Sequence, residues 1–412
     1  MRILLANKYH GRRGGAESVV LQTERLLNEA GHDVVPFAMS DDGNDPSEWS
    51  DYFVPARHYF EGSTVRRVGD SLAVIYSFDA RRRLRGLLRA ARPDVAHLHN
   101  VYHQLSLSIV DELRSARIPI VMTLHDYKAA CPNYHLLTHD GLCQRCVGGG
   151  YWNAVRHRCL KGSVAGSAIA AVEAYVNRIR KQYAKVDLFL APSTFLRDVM
   201  VRAGLPPSRI EVLRNAVPAA ARPRPVPAHP RFIYFGRLSA EKGIDAILDA
   251  SAEITAGIDL TVFGTGPLED DLRRRVEREG LAVQLKGFVS REVLEDELTT
   301  TTAALLPSEC YENCPMSLLE AGALGVPTIA SDIGGIPELV TSGVDGLLVP
   351  VGDSRALAEA VNRLAAAPTL VASLGEAAHR RVSEQHDEAR YAEALLAYYV
   401  RVLDARRPRV AS

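Results

Sequence analysis

Short apolar runs alternate with amphipathic stretches along both halves of this 412-residue chain. Each run is followed by a polar or glycine-bearing turn, a pattern typical of buried parallel strands joined by helices. Residues 1–6 and 94–98 show it in the first half, and residues 232–235 and 260–263 show it in the second half. A chain of this length exceeds one ordinary core. We therefore predict an α/β fold of two doubly wound, Rossmann-like parallel-sheet domains facing across a cleft.

A proline-rich run sets the predicted domain boundary. Residues 218–230 contain five prolines, and repeated proline disfavours both helices and central strands while it stiffens a connection. We predict an N-terminal domain at 1–217, a linker at 218–230, a C-terminal domain at 231–386 and a terminal helix within 387–412.

The composition excludes several classes of protein. Lys and Arg together number 49, as do Asp and Glu, so there is no global attraction to nucleic acid. No apolar run approaches the ~20 residues that a spanning helix needs, and the N-terminal apolar run is too short for a signal-peptide core. We therefore expect a cytoplasmic protein whose six cysteines are reduced unless they bind metal.

The stretch from residue 308 to residue 331 places two acids around one predicted helix start. Glu312 lies on a loop, the helix opens near Pro315 and carries Glu320, and Gly325 suits the turn at its end. The free N–H groups at such a start favour phosphate. Since the two acids are offset by roughly 80° at ~100° per residue, they could bind different hydroxyls of one long ligand.

Two further turns carry candidate ligand-binding groups. Arg237 and Lys242 follow the strand at 232–235, where a guanidinium fork and an ammonium point charge would suit a diphosphate. Gly14 and Gly15 open the first helix, where backbone amides could approach a ligand closely. Surface cations and glycine turns are also common without any such role.

Polar pairs follow two of the predicted strands in the first half. His99-Asn100 follows residues 94–98, and His125-Asp126 follows residues 119–124. Both lie at the carboxyl edge, where open parallel sheets bind ligands, and His125 is the better candidate. A satisfied structural histidine is the alternative. The turn at Gly264 and Gly266 lacks the third glycine of a dinucleotide fingerprint, so it does not indicate an NAD site.

The segment from Glu312 through Glu320 to AGALGVPTIAS resembles the signature of the retaining GT-B nucleotide-sugar glycosyltransferases, in particular glycosyltransferase family 4. Gly-Gly-Ala-Glu at 14–17 is similar to the first loop of that family. The resemblance covers nearly the whole chain apart from a cysteine-containing segment and a basic stretch, and it is strongest from 233 to 349. It implies that the C-terminal helix crosses back to the first domain.

The resemblance also implies roles for individual residues. Glu320 would hold ribose hydroxyls and Glu312 the sugar hydroxyls. Arg237 and Lys242 would bind the donor diphosphate, and His125 would line the donor-sugar site; with Glu312 these form the implied catalytic set. The further implied donor-binding residues are Gly14, Gly15, Gly264, Gly266, Gly287, Phe288, Asn313, Cys314 and Pro315. Because the cations are built in, no metal or other cofactor is expected for catalysis.

The implied activity is retaining transfer of a hexose from a UDP- or GDP-sugar to a saccharide or polyprenyl-linked saccharide, as in surface polysaccharide synthesis. The first domain would then lie on the acceptor side, and the second would bind the nucleotide sugar. Two alternatives are a sugar-nucleotide epimerase, which can share the GT-B fold, and a non-catalytic binding or regulatory homologue. The paired acids and bases argue against both alternatives.

Four cysteines lie in an insertion at about 131–159. Cys143 and Cys146 are separated by two residues, and Cys131 and Cys159 flank them. Four thiolates could hold structural Zn²⁺ in a tetrahedral site, an iron–sulfur cluster is the rival, and plain thiols or transient disulfides remain open.

A basic stretch runs from residue 65 to residue 92. Its leucines Leu84, Leu87 and Leu88 fall at helical spacing, which predicts a helix with one apolar and one cationic face. Its arginines are Arg66, Arg67, Arg81, Arg82, Arg83, Arg85, Arg89 and Arg92. Either the helix is simply solvated on its basic face, or that face makes peripheral contact with anionic lipid headgroups.

Overall fold

The computed structural model describes residues 1–56, 73–218 and 223–406. The chain forms two compact units. The first comprises Met1–Arg214 together with the C-terminal residues from Tyr391 onward, and the second comprises Asn215–Arg390. The predicted linker thus falls within the second unit. Where it is described it packs there, because Arg224 N–H donates to Leu324 O at 3.0 Å and Val226 contacts the second core.

The first unit is built on one parallel sheet. Its strands in chain order are β1 (Arg2–Ala6), β2 (Asp33–Phe37), β3 (Val95–Leu98), β4 (Ile120–Thr123), β5 (Leu137–Thr138), β6 (Gly141–Leu142), β7 (Leu188–Ala191) and β8 (Ile210–Val212). Six of them form the sheet in the order β2-β1-β3-β4-β7-β8, with every pairing parallel. The short strands β5 and β6 form an antiparallel hairpin in the cysteine-containing insertion.

The connecting helices of the first unit pack their apolar faces on this sheet. They are α1 (Gly15–Glu29), α2 (Phe78–Ala91), α3 (Ser108–Ser115), α4 (Asn153–Arg156), α5 (Val164–Ile179) and α6 (Thr194–Arg202), with 3-10 turns at Ser50–Tyr52, Tyr183–Lys185 and Pro207–Arg209. Leu84, Leu87 and Leu88 of α2 are buried, as their spacing predicts. Arg66 and Arg67 lie outside the described residues. Ser193 caps α6 by accepting from Leu196 N–H at 3.2 Å.

The second unit contains a second parallel sheet. Its strands are β9 (Arg231–Phe235), β10 (Asp259–Phe263), β11 (Val283–Gly287), β12 (Ala303–Leu306), β13 (Thr328–Ser331) and β14 (Gly346–Val349). They lie in the order β11-β10-β9-β12-β13-β14, and every pairing is parallel. The buried apolar residues of these strands and their helices form its core.

The helices of the second unit follow the strands in alternation. They are α7 (Ile244–Ala250), α8 (Glu269–Glu279), α9 (Arg291–Thr299), α10 (Met316–Ala323), α11 (Ser354–Ala365) and α12 (Pro368–Gln385), with 3-10 turns at Ala240–Lys242 and Ile336–Glu338. Pro315 precedes α10 as its N-cap, one position earlier than predicted, and Gly325 follows it with φ of +73°. The predicted alternation is therefore confirmed in both units.

Each sheet has one topological switch point, where the chain changes the direction in which it adds strands. This point lies between β1 and β3 in the first sheet and between β9 and β12 in the second. Ligands of open α/β sheets bind outside the carboxyl ends of the strands at such points. The loops after these four strands are therefore where a site is expected.

The last helix, α13 (Glu388–Asp404), packs on the first unit from Tyr391 onward. Tyr391, Leu395, Tyr399 and Val402 are buried, a helical spacing that faces one side. The Tyr391 and Thr23 hydroxyls lie 3.0 Å apart, and the Tyr399 hydroxyl lies 2.7 Å from His97 Nδ1. Among the described residues, none of the helices has the length and apolarity needed to cross a membrane.

Candidate active site

The loops after β9 and β12 meet at the switch point of the second sheet. Glu309 N–H donates to Glu241 O at 3.0 Å. Gly243 has φ of +67°, and a Cβ there would lie 1.9 Å from Pro307 O. Only glycine allows this approach, because any larger residue would push the two loops apart. The close backbone packing brings the side chains of the two loops together.

Lys242 and Glu312 form an ion pair across these loops. Lys242 Nζ lies 2.6 Å from Glu312 Oε1, which also accepts from Ser308 Oγ at 2.7 Å. Burial lowers the pKa of Lys242, but attraction by Glu312 and other nearby groups outweighs this effect and raises the pKa overall. Lys242 is therefore a protonated, geometrically fixed cation. Both residues are predicted donor ligands, and the structure places them in direct contact.

The backbone of Glu312 is held from the other side by a glycine pair. Gly335 N–H donates to Glu312 O at 2.6 Å. Gly334 has φ of +61°, and a Cβ there would lie 2.5 Å from the same oxygen. The sequence shows this glycine pair, but its function of positioning Glu312 is visible only in the folded chain.

The start of α10 is positioned by a side chain from the beginning of the second unit. Asn215 Nδ2 donates to Cys314 O at 3.0 Å, and the Cys314 side chain is buried. Pro315 is extended at ψ of 123°, and Asn313 and Pro315 are half-buried. Glu312 therefore lies on the loop that leads to a helix N-terminus, as predicted.

Glu320 lies on α10 and is half-buried. The hydrogen bond that Arg291 donates to Glu295 raises the pKa of Arg291, and burial opposes this increase. The negative charge of Glu320 also raises the pKa of Arg291. Arg291, at the first position of α9, is therefore close enough to Glu320 to interact with it electrostatically. The sequence analysis did not identify Arg291, because a lone surface arginine carries no local signal.

Arg237 is exposed, and its backbone is fixed while its side chain is accessible. Tyr234 Oη donates to Arg237 O at 2.8 Å, and the Tyr234 ring is buried beneath the loop. The site cations thus differ: Lys242 is enclosed and paired, whereas Arg237 extends into solvent.

The glycines after β10 pack against the Arg237 loop. A Cβ at Gly264 would lie 1.9 Å from Gly236 O, and one at Gly266 would lie 2.2 Å from Leu238 O. The close contact between the two loops is therefore enough to explain why glycine occupies both positions. Their predicted contact with the donor stays a prediction.

The end of β11 presents an exposed aromatic ring. Phe288 is 78% exposed, and it follows Gly287, whose carbonyl accepts from Gly264 N–H at 2.8 Å. Exposure of this apolar ring to water is unfavourable in the free protein. Its position on a fixed turn therefore suits contact with a ligand that has an aromatic face.

Three histidines of the first unit form a chain at the carboxyl edge, with His97 and His99 buried and His125 half-buried. His97 Nε2 lies 2.7 Å from Thr123 Oγ1, and His99 Nδ1 lies 2.7 Å from His125 Nε2. Burial lowers the pKa of His97 to about 3 and that of His125 to about 4, and it holds that of His99 well below its usual value. All three imidazoles are therefore neutral at pH 7. His97 was not singled out by its sequence context, whereas His99 was predicted, with Asn100, as the weaker of the two candidate pairs.

The loop after β1 lies beside this chain. Asn7 Oδ1 accepts from Asn100 N–H at 3.1 Å and ties the two loops of the switch point together. Gly14 and Gly15 are exposed at the start of α1, with Gly14 as an extended N-cap that forms no side-chain capping bond. The first amides of α1 therefore remain accessible to a ligand.

The buried histidines give a prediction about acid stability. His97 has a lower pKa folded than unfolded, so below pH 6.5 the unfolded chain binds a proton that the folded chain excludes. Stability should therefore fall with falling pH, by about 2 kcal/mol for His97 between pH 6.5 and 5. Urea unfolding at pH 7.5 and pH 5.0 measures this loss, and His97→Gln should reduce it by that amount. His139→Gln, at an exposed position, should not, and an equal loss in all three proteins would contradict the assignment.

A buried ion pair involves Lys128, three positions beyond His125 in the sequence. Lys128 Nζ pairs with Glu173 Oε2 at 2.8 Å, and the two side chains are only 2% and 1% exposed. Lys128 Nζ also donates to Pro132 O at 3.1 Å. Burial raises the pKa of Asp126 to about 6. The sequence analysis missed the pair because 45 residues separate its members and nothing local links them.

The four cysteines of the insertion lie near one another as thiols. A hydrogen bond with Cys146 lowers the pKa of Cys131 to about 7, and Cys131 Sγ lies 2.9 Å from Asn133 Oδ1. Burial raises the pKa of Cys159 to about 11, with the charges of Cys131 and Cys143 adding to it. Within the described part of the chain, no three His, Cys, Asp or Glu side chains are arranged closely enough to hold a metal ion. The thiols are thus gathered in one place without a ready ligand geometry.

Four of the five arginines of α2 form ion pairs within the first unit, and they share two carboxylates. Arg81 and Arg85 both pair with Glu112, at 3.0 and 2.7 Å. Arg82 and Arg83 pair with Asp79, at 2.8 and 3.4 Å. The predicted cationic face therefore carries less free charge than its sequence suggests, because acids of α2 and α3 lie against it.

The two doubly wound parallel sheets, with polar loops at the switch point of each, define a GT-B fold. The profile described as Glycosyltransferase Family 4 matches residues 13–221, and one described as Glycosyl transferases group 1 matches residues 229–367. The first match covers half of the chain. The chain therefore belongs to glycosyltransferase family 4.

Individual relatives cover this chain to different extents. The putative colanic acid biosynthesis glycosyltransferase WcaL of Escherichia coli K12 is 32% identical over 47% of this chain and 50% of its own. The glycogen synthase of Mycobacterium tuberculosis H37Rv is 27% identical over 94% of this chain and 91% of its own. The chain spans only 19% to 50% of the length of three curated relatives that are 32% to 35% identical to it.

Solved structures share the fold. Anabaena HepE, in a complex with UDP and glucose, superposes with a TM-score of 0.69 at 18% identity. The similarity covers 97% of this chain and 100% of HepE. It therefore extends across both units.

Proposed function

We propose that this protein is a retaining glycosyltransferase that moves a hexose from a nucleoside diphosphate sugar to a saccharide or lipid-linked saccharide. The observation that carries the proposal is the Lys242–Glu312 pair at 2.6 Å, at the switch point of the second sheet. It supplies a fixed cation and a carboxylate at the edge where this type of sheet binds nucleotides. Family membership and relatives named for polysaccharide biosynthesis support the same activity.

In the proposed mechanism, Arg237 and Lys242 neutralise the charge that develops on the diphosphate as the sugar–phosphate bond breaks. Lys242 can do this without rearrangement because it is already protonated and held. Glu312 binds hydroxyls of the sugar, and its backbone is held by Gly335. The acceptor hydroxyl attacks the anomeric carbon from the face that the diphosphate leaves, and the leaving phosphate takes its proton. His125, neutral at pH 7, acts as a hydrogen-bonding group in the sugar site rather than as a cation.

We propose a UDP- or GDP-sugar as the donor. Glu320 would hold the ribose hydroxyls, with Gly287 and the exposed ring of Phe288 at the base. The amides at Asn313, Cys314 and Pro315 would complete the sugar pocket, and Gly14 and Gly15 would approach the diphosphate. HepE, which shares the fold, was solved in complex with UDP and with UDP-glucose, which supports a uridine donor as the first to test.

The donor prediction can be tested by thermal shift with UDP, GDP, ADP and their sugars. A ligand at about 100 times its dissociation constant should add about 2.7 kcal/mol of stability. Glu320→Ala should weaken donor binding by about 10- to 100-fold, since it removes hydrogen bonds to a charged group. Glu359→Ala, an exposed helical glutamate, is the matched control and should bind as the parent does. Undiminished binding by Glu320→Ala would exclude the assigned role.

Product analysis separates this proposal from an epimerase. The parent protein should consume donor sugar only when an acceptor is present and should retain the anomeric configuration in the product. Conversion of the donor without any acceptor would contradict the proposal.

We propose that catalysis needs no metal and that the four insertion cysteines bind a structural ion, with zinc favoured over an iron–sulfur cluster. Cys131, Cys143, Cys146 and Cys159 supply four soft thiolates, the donor set that Zn²⁺ prefers in closed sites. Their interacting thiols support this, although side chains must move inward to reach ligand distances. Protein purified without added metal should contain about one zinc per chain, and Cys143→Ser should lose it. Equal metal content in both proteins would reject the site, and transfer activity should survive chelation of added metals.

A further inference from the structure

Helix α5 buries several polar side chains and exposes apolar ones, unlike an ordinary surface helix. Its buried residues include Ser167, Glu173 and Asn177, whereas Val172 and Ile179 are 40% and 78% exposed. Val164, Val172 and Ile179 project within about 80° of one another at ~100° per residue, so they share one face. An apolar stripe directed into solvent is unfavourable unless something covers it.

The cysteine-containing insertion extends this apolar stripe. Trp152 is 57% exposed, and its backbone N–H donates to Tyr175 Oη on α5 at 3.3 Å. The ring of Tyr151 lies edge-on to the ring of Tyr175, with 5.1 Å between centroids. The backbone of Trp152 is thereby held beside α5. We call the surface formed by Trp152, Val164, Val172 and Ile179 the α5 apolar face.

The segment that carries the α5 apolar face is rich in basic residues, although the chain as a whole has no net charge. Between residues 141 and 185 the only acid is Glu173, which is buried against Lys128. The same segment contains the basic residues Arg145, Arg156, Arg158, Lys161, Arg178, Arg180, Lys181 and Lys185. All of these but Lys185 are exposed, and Arg180 and Lys185 also pair with Asp111. The segment that carries the apolar residues is therefore strongly basic, and its single acid is buried.

We propose that the α5 apolar face and the exposed basic residues of the same segment form a binding surface for an anionic lipid membrane. Aliphatic side chains and an indole at the headgroup boundary, with Lys and Arg around them, are the combination that holds a protein at such an interface. An acidic protein partner would match the charge, but it would not require an exposed indole among aliphatic residues. The surface belongs to the first unit, and its assignment does not depend on the proposed transfer activity.

This surface differs from the basic helix to which the sequence points. Arginines of α2 form ion pairs with Glu112 and Asp79. The leucines of α2 are buried. Helix α5 and the insertion combine exposed apolar area with exposed cations. Substitutions in α5 and the insertion are therefore expected to weaken membrane binding, whereas substitutions in α2 are expected to leave it unchanged.

Co-sedimentation with vesicles of phosphatidylcholine and phosphatidylglycerol in equal parts tests the proposal. The parent protein should bind these vesicles and should bind pure phosphatidylcholine vesicles at least about tenfold more weakly. The combined change Trp152→Ser, Val172→Ser and Ile179→Ser should reduce the partition coefficient by about tenfold or more. Val344→Ser, Val351→Ser and Val400→Ser together form the matched control, because these residues are exposed apolar positions elsewhere, and should leave binding unchanged.

Charge variants separate the two candidate regions. Arg156→Gln, Arg158→Gln and Lys161→Gln together should weaken binding by about tenfold at low salt, whereas Arg82→Gln, Arg83→Gln and Arg89→Gln together should retain it. Ile179→Ser alone, which removes no buried side chain, should reduce binding measurably and serves if the triple change perturbs folding. The proposal would be overturned if the parent protein did not bind the anionic vesicles. It would also be overturned if Ile179→Ser and the triple variant at Arg156, Arg158 and Lys161 bound as well as the parent, or if only the triple variant at Arg82, Arg83 and Arg89 lost binding.

Discussion

Replacing Lys242 with alanine is expected to slow sugar transfer by about 10²- to 10³-fold, the loss typical of removing one fixed group that stabilises transition-state charge. The side chain lies 2.6 Å from Glu312, and its raised pKa keeps it protonated throughout the physiological range. Its positive charge matters most when the diphosphate leaves. We therefore expect kcat to fall much more than donor affinity.

Steady-state kinetics with the donor identified by thermal shift would measure this effect. Lys242→Arg should recover part of the rate because it keeps the charge but changes the geometry. Arg355→Ala, at an exposed position on α11, is the control and should behave as the parent protein does. A normal kcat in Lys242→Ala would remove the central assignment of the proposed mechanism.

The second large effect is expected from Glu173→Ala, which should destabilise the first unit by about 3–5 kcal/mol. This change leaves Lys128 buried at 2% exposure without its 2.8 Å partner, and an uncompensated buried charge is costly. The double change Lys128→Met and Glu173→Leu should recover most of the loss, since it removes both charges.

Tryptophan fluorescence can follow this unfolding selectively, because both tryptophans, Trp49 and Trp152, belong to the first unit. Asp271→Ala breaks an exposed pair with Arg274 in the second unit and should change stability by less than about 1 kcal/mol. A loss of that small size in Glu173→Ala would show that the Lys128–Glu173 pair does not stabilise the first unit.

Local patterns in the sequence were sufficient to predict the elements that carry the site. Apolar runs and their turns located the strands of the two parallel sheets to within one or two residues. Pro315 and Gly325 marked the two ends of α10. These signals work because strand burial, capping and positive φ act over a few neighbouring residues.

The interactions between elements were not predicted. Arg81 and Arg85 looked like a cationic face, but Glu112 of α3 pairs with both. His97 appeared as one polar residue within a strand, and Tyr399, 302 positions later, lies 2.7 Å from it. The electrostatic interaction of Arg291 with Glu320 likewise arises only in the folded chain.

The sequence by itself determined two doubly wound sheets, the family, the loops on which Arg237, Lys242 and Glu312 lie, and the helix that carries Glu320. The tertiary structure decided which of these charges meet, that Gly334 and Gly335 hold Glu312, and that α5 turns its apolar side outward. The physical reason is the range of the forces involved. Periodicity and turn preferences are local properties of the chain, whereas an ion pair or an exposed face depends on what packing brings near it from distant positions.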